Sequence, residues 1–338
     1  MYGDFQMVSS RTRASFGVIF HPWFPPESLA EYARKAESAG FDELWMWDDC
    51  FQAGAFTAAG IALTATSRIK VGIGLLPVPA YNPLFAAMEI TTLARAFPGR
   101  FIPGFGHGVR SWMERIGAAP RSPLNALAET VRAVRDLLNG KVVTLHGNWV
   151  HLDHVQMQVL PEKVPPIYIG AIREKSLNLA GSLGDGTILT GQSSPAYIRW
   201  AKQQIQIGMQ PSSERDHRIA AYVDVIVSLD RAAARTAARR ALVGLLPWED
   251  IKLETTGIAS EVTQFLQRNH TVEEIAKNMP ENWIDALCAA GTPQDVADGI
   301  RQRFNAGADS IIFEALNADP SSLDDYLRYL CPLDQLIG

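Results

Sequence analysis

The sequence predicts an α/β fold of the (β/α)8 TIM-barrel type, on three observations. Short apolar runs alternate with helical patterns along almost the whole chain, eight such runs can be counted in 338 residues, and the turn after the first run contains no glycine. Strands that alternate with helices pair in parallel, because each helix supplies the crossover. Eight such units in a chain of this length suggest a closed barrel. An open doubly wound sheet is the structural alternative, and it carries a glycine-rich phosphate turn after its first strand. Here that turn reads His21-Pro22-Trp23-Phe24-Pro25-Pro26, which favours the barrel. The expectation is one domain over residues 1–338.

The first strand is placed at 16–20, too short for a helix and rich in strand formers. Residues 27–39 put Leu29, Tyr32, Ala33 and Ala36 on one helical face, and Gly40 stops the helix. Further strands are expected at 44–47, 69–76, 101–108, 167–170, 187–190, 219–229 and 310–316. Helices fall between them, at 56–67, 82–97, 126–138, 175–183 and 292–305 and from 195, 230 and 321. Thr292 is a good N-cap with Pro293 in the first helical position. Two insertions break the rhythm. Residues 141–158 alternate polar and apolar around His146-Gly147-Asn148 and read as a β-hairpin. Residues 247–290 read as helical and irregular, without a strand.

Composition sets the class. Apolar residues make up 47% and charged residues 20%, the profile of a soluble enzyme with a large core. The net charge is −5 and no basic stretch could neutralise a run of phosphates, so nucleic acid is not an expected partner. Cys50, Cys288 and Cys331 form no CxxC pair, which suits a reducing cytoplasm. The opening residues MYGDFQMVSSRTRAS carry no long apolar core of a signal peptide, and no run is long enough to span a bilayer. His151 and His154 have no ligand set beside them beyond Asp153, so no metal is expected. GxSxG and P-loop motifs are absent from the sequence.

A barrel carries its active site on the loops at the strand C-termini. These loops nominate His21 and Trp23, 48–51, 75–81, 104–110, 170–175 and 190–194. Gly104, Gly106 and Gly108 surround Phe105 and His107; they suit either close approach of a ligand to the backbone or a tight bend. Residues 170–176, with Arg173 and Lys175, precede a helix N-terminus, where free amides attract an anion; a solvated loop is the plainer reading. His107 is a candidate proton donor, set against an ordinary structural role. Asp48 and Asp49 suit either a hydrogen bond to a ligand or a helix cap. Cys50 reads by default as a small buried hydrophobe.

Taken together, ELWMWDDCFQ, KVGIGLLPVPAYNP, FPGRFIPGFGHG, PPIYIGAIREKSLNLAGSLGDGTILT and GTPQDVADGIRQRFNAGADSIIF resemble the luciferase-like monooxygenase superfamily over about residues 16–316. Within it the chain is most similar to the branch that uses coenzyme F420, including methylenetetrahydromethanopterin reductases. The resemblance implies a deazaflavin, or alternatively FMN, across the barrel mouth. It implies a non-prolyl cis peptide at Gly74-Leu75 behind the ring, and an acidic residue at Asp49. It places further cofactor contacts at Gly106, His107 and Gly108, at Gly170, Ala171, Ile172 and Arg173, and at Thr190. Catalytic work falls to His107, Asp49 and Cys50. Cys50 stands where sugar-phosphate dehydrogenases of the family carry a His, and His107 where they carry a Glu. These departures point away from that substrate and towards a reductase acting on an organic small molecule. An FMN monooxygenase and a non-catalytic, ligand-binding relative are the alternatives. The resemblance also implies a homodimer, for which the apolar first helices would be the surface.

Overall fold

The computed structural model describes residues 14–209, 216–246, 250–315 and 319–336. The opening segment 1–13, positions 247–249 of the expected insertion and position 316 of the expected last strand lie outside the described residues.

The chain runs β1 (Ser15–Ile19), α1 (Leu29–Ser38), β2 (Glu43–Met46), α2 (Ala55–Ala65), β3 (Lys70–Pro77), α3 (Pro83–Ala96), β4 (Phe101–Gly106), α4 (Arg110–Arg115) and α5 (Pro123–Leu138). The hairpin β5 (Val143–His146) and β6 (His151–Val155) follows, then β7 (Tyr168–Gly170), α6 (Glu174–Leu183), β8 (Gly186–Leu189), α7 (Pro195–Gly208), β9 (Arg218–Val227) and α8 (Arg231–Val243). Next come α9 (Asp250–Thr256), α10 (Ala259–Leu266), α11 (Val272–Asn278) and α12 (Glu281–Leu287). The chain returns through β10 (Ala289–Gly291), α13 (Pro293–Ala306), β11 (Ser310–Glu314) and α14 (Ser322–Tyr329).

Eight strands close a parallel barrel in the order β1-β2-β3-β4-β7-β8-β9-β11, with β11 pairing back onto β1. The alternation within each strand explains how it is filled. Ile19, Trp45, Ile102, Tyr168, Ile188, Ala220, Tyr222 and Ile312 point inward and pack on one another. Their strand neighbours, such as Val18, Leu44, Phe101 and Phe105, face the helices in the main core. Gly72 is needed here, because a Cβ on it would strike the Trp45 indole.

Helix starts follow the side-chain chemistry. Asn82, Ser122, Ser194 and Asp230 each cap a helix through a side-chain oxygen. Thr292 and Asp295 form a capping box ahead of α13, and Gly307 ends that helix at φ +115°. The hairpin sits where its alternating pattern places it. The second insertion needs one correction. Its four helices are as expected, but it ends in a strand, β10, which pairs in parallel with the far half of β9. Ile226, Leu242, Leu253, Val262, Trp283 and Leu287 form a separate apolar cluster that holds α8–α12 together. Among the described residues no helix is long and apolar enough to cross a membrane.

Candidate active site

The C-terminal ends of seven barrel strands open into one cavity of about 470 Å³, within the range of small-molecule sites. Asp49 and Cys50 border it after β2, Gly74 and Leu75 in β3, and His107 and Gly108 after β4. Gly170, Ala171, Ile172 and Arg173 border it after β7, and Thr190 after β8. The nominated His21, Trp23 and Lys175 do not border it, whereas every residue to which the resemblance assigns a catalytic or cofactor role meets in this space except Gly106. That glycine is buried behind the wall, where a Cβ would collide with the Leu75 side chain. Gly170 borders Leu75 in the same way, its Cβ position 2.5 Å from Leu75 Cδ2. Both glycines make room for the Leu75 side chain.

Leu75 occupies a bulge. The pairing of β3 with β4 shifts register between Ile73 and Leu76, and the Gly74-Leu75 peptide is cis. The backbone here is tied on both sides. The Asp48 amide donates to Leu75 O at 3.1 Å, and the buried Tyr222 hydroxyl donates to Gly74 O at 3.1 Å. Burial holds the Tyr222 phenol well above its ordinary range, so it stays a donor. The result is a fixed, largely apolar wall.

The adjacent aspartates divide two tasks that the sequence left open. Asp48 Oδ1 accepts from the Ala55 amide at the start of α2 at 2.6 Å, and Oδ2 accepts from the Tyr81 hydroxyl. It is the helix cap. Asp49 faces the cavity, and burial raises its carboxyl pKa against the opposing hydrogen bond from Trp47. Burial, then the Asp49 and Asp48 carboxylates, push the Cys50 thiol up, so it is a neutral lining group and not a thiolate.

His107 is held at both nitrogens. Nδ1 lies 3.2 Å from Pro123 O and Nε2 lies 2.9 Å from Ser176 Oγ. A carbonyl only accepts, so Nδ1 carries the proton and Nε2 accepts from the serine. Burial lowers the imidazole pKa, which keeps it neutral. The expected proton donor thus has its one proton directed at Pro123, away from any substrate. What it does instead is fix Ser176 in the first turn of α6, beside Arg173 at the N-cap. That turn borders the cavity end lined by Ile172, Arg173 and Ser176, and the first amides of a helix have no partner within it.

The aromatic residues near the strand ends separate. Trp112 lines it; Phe105 is fully buried in the helix-facing core, because strand alternation turns it away. Phe51 is exposed beside the mouth, under the Arg115 guanidinium at 4.4 Å, and Trp23 stacks on His21. Sequence reasoning missed Tyr222 and Glu314, which also line the cavity, as do Ser176 of the nominated 170–176 segment and Ile251 of the second insertion. It missed the support beneath them too. Lys252 is fully buried, with Nζ 3.0 Å from Thr190 Oγ1 and bonded to Gly191 O. Asp224 accepts from the Gln192 amide at 2.9 Å and from Gln192 Nε2 at 2.6 Å.

The sequence model of the luciferase-like monooxygenases matches residues 6–310. A 5,10-methylenetetrahydromethanopterin reductase of Archaeoglobus fulgidus is 31% identical over 88% of this chain and 92% of its own. An F420-dependent glucose-6-phosphate dehydrogenase of Kineococcus radiotolerans is 27% identical over 88% of this chain and 90% of its own. Among solved structures, the coenzyme F420-dependent tetrahydromethanopterin reductase of Methanopyrus kandleri superposes with a TM-score of 0.80. That match covers 95% of this chain and 99% of the other at 22% identity, and so speaks for the fold. With the family match spanning nearly the whole chain, the protein belongs to the luciferase-like monooxygenase family.

Proposed function

We propose that the chain is a coenzyme F420-dependent oxidoreductase that transfers a hydride between the deazaflavin and an organic substrate, working as a reductase. One observation carries this reading: a rigid apolar wall at Gly74-Leu75 and the N-terminus of α6 border the same cavity. A planar tricycle needs the first, and the phosphate of its side chain needs the second. The residues fit such a group. Leu75 would back the ring, Asp49 and Thr190 would meet its polar edges, and Arg173 with the Ile172 backbone would hold the phosphate.

When bound, the deazaflavin supplies a hydride at its ring carbon. The protein's part is to orient the substrate against that carbon and to exclude water. Trp47, Trp112, Met113 and Ile251 line the remaining space and favour an apolar substrate body. The reductase direction is supported by Cys50 and His107, neither of which is placed as a base: Cys50 is a neutral thiol, and the His107 Nε2 lone pair is taken by the Ser176 hydroxyl.

Titration of the purified protein with F420 should give micromolar or tighter binding, and Arg173→Ala should weaken it by about 10- to 100-fold. A protein that ignores F420 and retains yellow FMN would be read as a flavin monooxygenase instead. One that binds neither would be a non-catalytic relative.

We also propose a homodimer through the first helices. Ile61 on α2 and Phe85 and Met88 on α3 are exposed large apolar side chains. Sedimentation equilibrium should give twice the chain mass, and Phe85→Glu should shift it to monomer. A monomeric wild type would remove the proposal.

A further inference from the structure

Two carboxylates meet beneath the cavity at the ends of neighbouring strands. Asp224 of β9 and Glu314 of β11 are partners in register. Both side chains close on Gly191, where a Cβ would lie 2.7 Å from Glu314 Oε2 and 3.2 Å from Asp224 Oδ2. The carboxylates are therefore separated by no more than those two distances laid end to end. Asp224 is 1% exposed, whereas Glu314 is half-buried and lines the cavity. Lys252 brings a buried ammonium to the same glycine, through Gly191 O and Thr190 Oγ1.

Such a cluster does not empty itself of protons easily. Two carboxylates this close, taken from water, cannot both ionise without a large cost, and one ammonium offsets one charge. The guanidinium of Arg303 on α13 donates to the carbonyls of Ser193, Gly299 and Ala286. The thiol of Cys288, ahead of β10, is pushed up by burial. Tyr222 on β9 donates to Gly74 O, and Tyr326 on α14 to Val225 O at 3.2 Å. Gln192 donates to Asp224 twice. Even so, burial pushes the Asp224 carboxyl up to about 6.

We propose that Asp224, Glu314 and Lys252 form a proton-holding triad, in which Glu314 is the catalytic residue that protonates the group being reduced and the other two position it. The proposal rests on the reductase reading. Saturating a polar double bond takes one hydride and one proton. The hydride, from the reduced deazaflavin, forms the new C–H bond. The Glu314 O–H bond breaks as the O–H or N–H bond of the product forms. The carboxylate left behind regains its proton from water at the mouth, while Asp224 stays ionised beside Lys252. The deazaflavin is oxidised, the substrate is reduced, and the triad returns to its starting state.

The test uses the full-length protein labelled with 13C at Asp and Glu carboxyls, titrated without cofactor. The wild type should show a carboxyl with a midpoint near 6. In Glu314→Gln that midpoint should fall by about one unit, since the neighbouring charge is gone. An unchanged midpoint overturns the triad. Should Glu314→Gln fail to fold, Asp224→Asn serves, and the Glu314 signal must then move. With reduced F420 and benzaldehyde as the probe acceptor, Glu314→Gln should lose at least about 30-fold in kcat while F420 affinity stays at the wild-type value. Wild-type kcat in that variant overturns the catalytic role. Failure of the wild type to bind F420 would instead remove the cofactor reading, and the titration would still judge the triad.

Discussion

Arg303→Met is expected to lower the stability of the protein by about 4 kcal/mol. Arg303 is fully buried, and its guanidinium reaches three carbonyls that belong to three parts of the chain. Nε bonds Ser193 O in the loop after β8, Nη2 bonds Ala286 O at the end of α12, and Nη1 bonds Gly299 O within α13, each at 3.0 Å. Gly299 keeps its helical amide partner, but the other two carbonyls would lose this donor inside the core. A buried acceptor left without a partner costs roughly 1–3 kcal/mol. The methionine fills most of the volume, so cavity formation adds little. Arg303→Lys should recover only part of the loss, since one ammonium cannot span three directions. The change also removes a cation that counteracts the raised pKa of Asp224. Urea unfolding followed by circular dichroism measures it. A loss below about 1 kcal/mol would show that the guanidinium acts as filler and not as a clamp between the barrel and its insertion.

That clamp marks where sequence reading stops. The barrel was legible because each strand is an apolar run bounded by a turn, and the period fixes which side chain faces inward. Phe101 and Phe105 face the helices while Ile102 faces the barrel axis, and any reading by alternation gives that result. The strand β10 was not legible. Ala289-Ala290-Gly291 has no β-branched residue, and it becomes a strand only because the long β9 offers a free edge beyond β11. The glycines were found but their purpose was not. A glycine that admits a ligand and one that seats a leucine look alike until the bulge at Leu75 is seen. His107 shows a related limit, since its partners Pro123 O and Ser176 Oγ come from the starts of two later helices. Asp224 and Glu314 lie far apart in sequence with no motif linking them. Only the closure of the barrel makes them neighbours.

Lowering the pH from about 7 to 4 should cost the wild type about 3 kcal/mol that a His21→Phe variant does not lose. His21 follows β1 and is 2% exposed. Its ring stacks on Trp23 at 4.4 Å and meets Phe24 at 5.0 Å and Trp47 at 5.2 Å. Neither ring nitrogen has a hydrogen-bond partner among the described residues, and burial lowers the pKa to about 4. An unfolded histidine takes its proton near 6.5. Above that pH both states are neutral and the group contributes nothing to the pH dependence. As the pH falls from 6.5 towards 4, the unfolded chain gains a proton that the folded protein cannot accept, so stability drops through that window. His107, whose pKa burial also lowers, adds to the same limb. Phenylalanine keeps the aromatic stack and brings no buried N–H, so His21→Phe should be at least as stable as the wild type at pH 7.5. Unfolding free energies at pH 7.5 and 4.5 for both proteins decide the matter. Equal losses in the two would mean that the imidazole between Trp23 and Trp47 is not held neutral, and that another group carries the acid sensitivity.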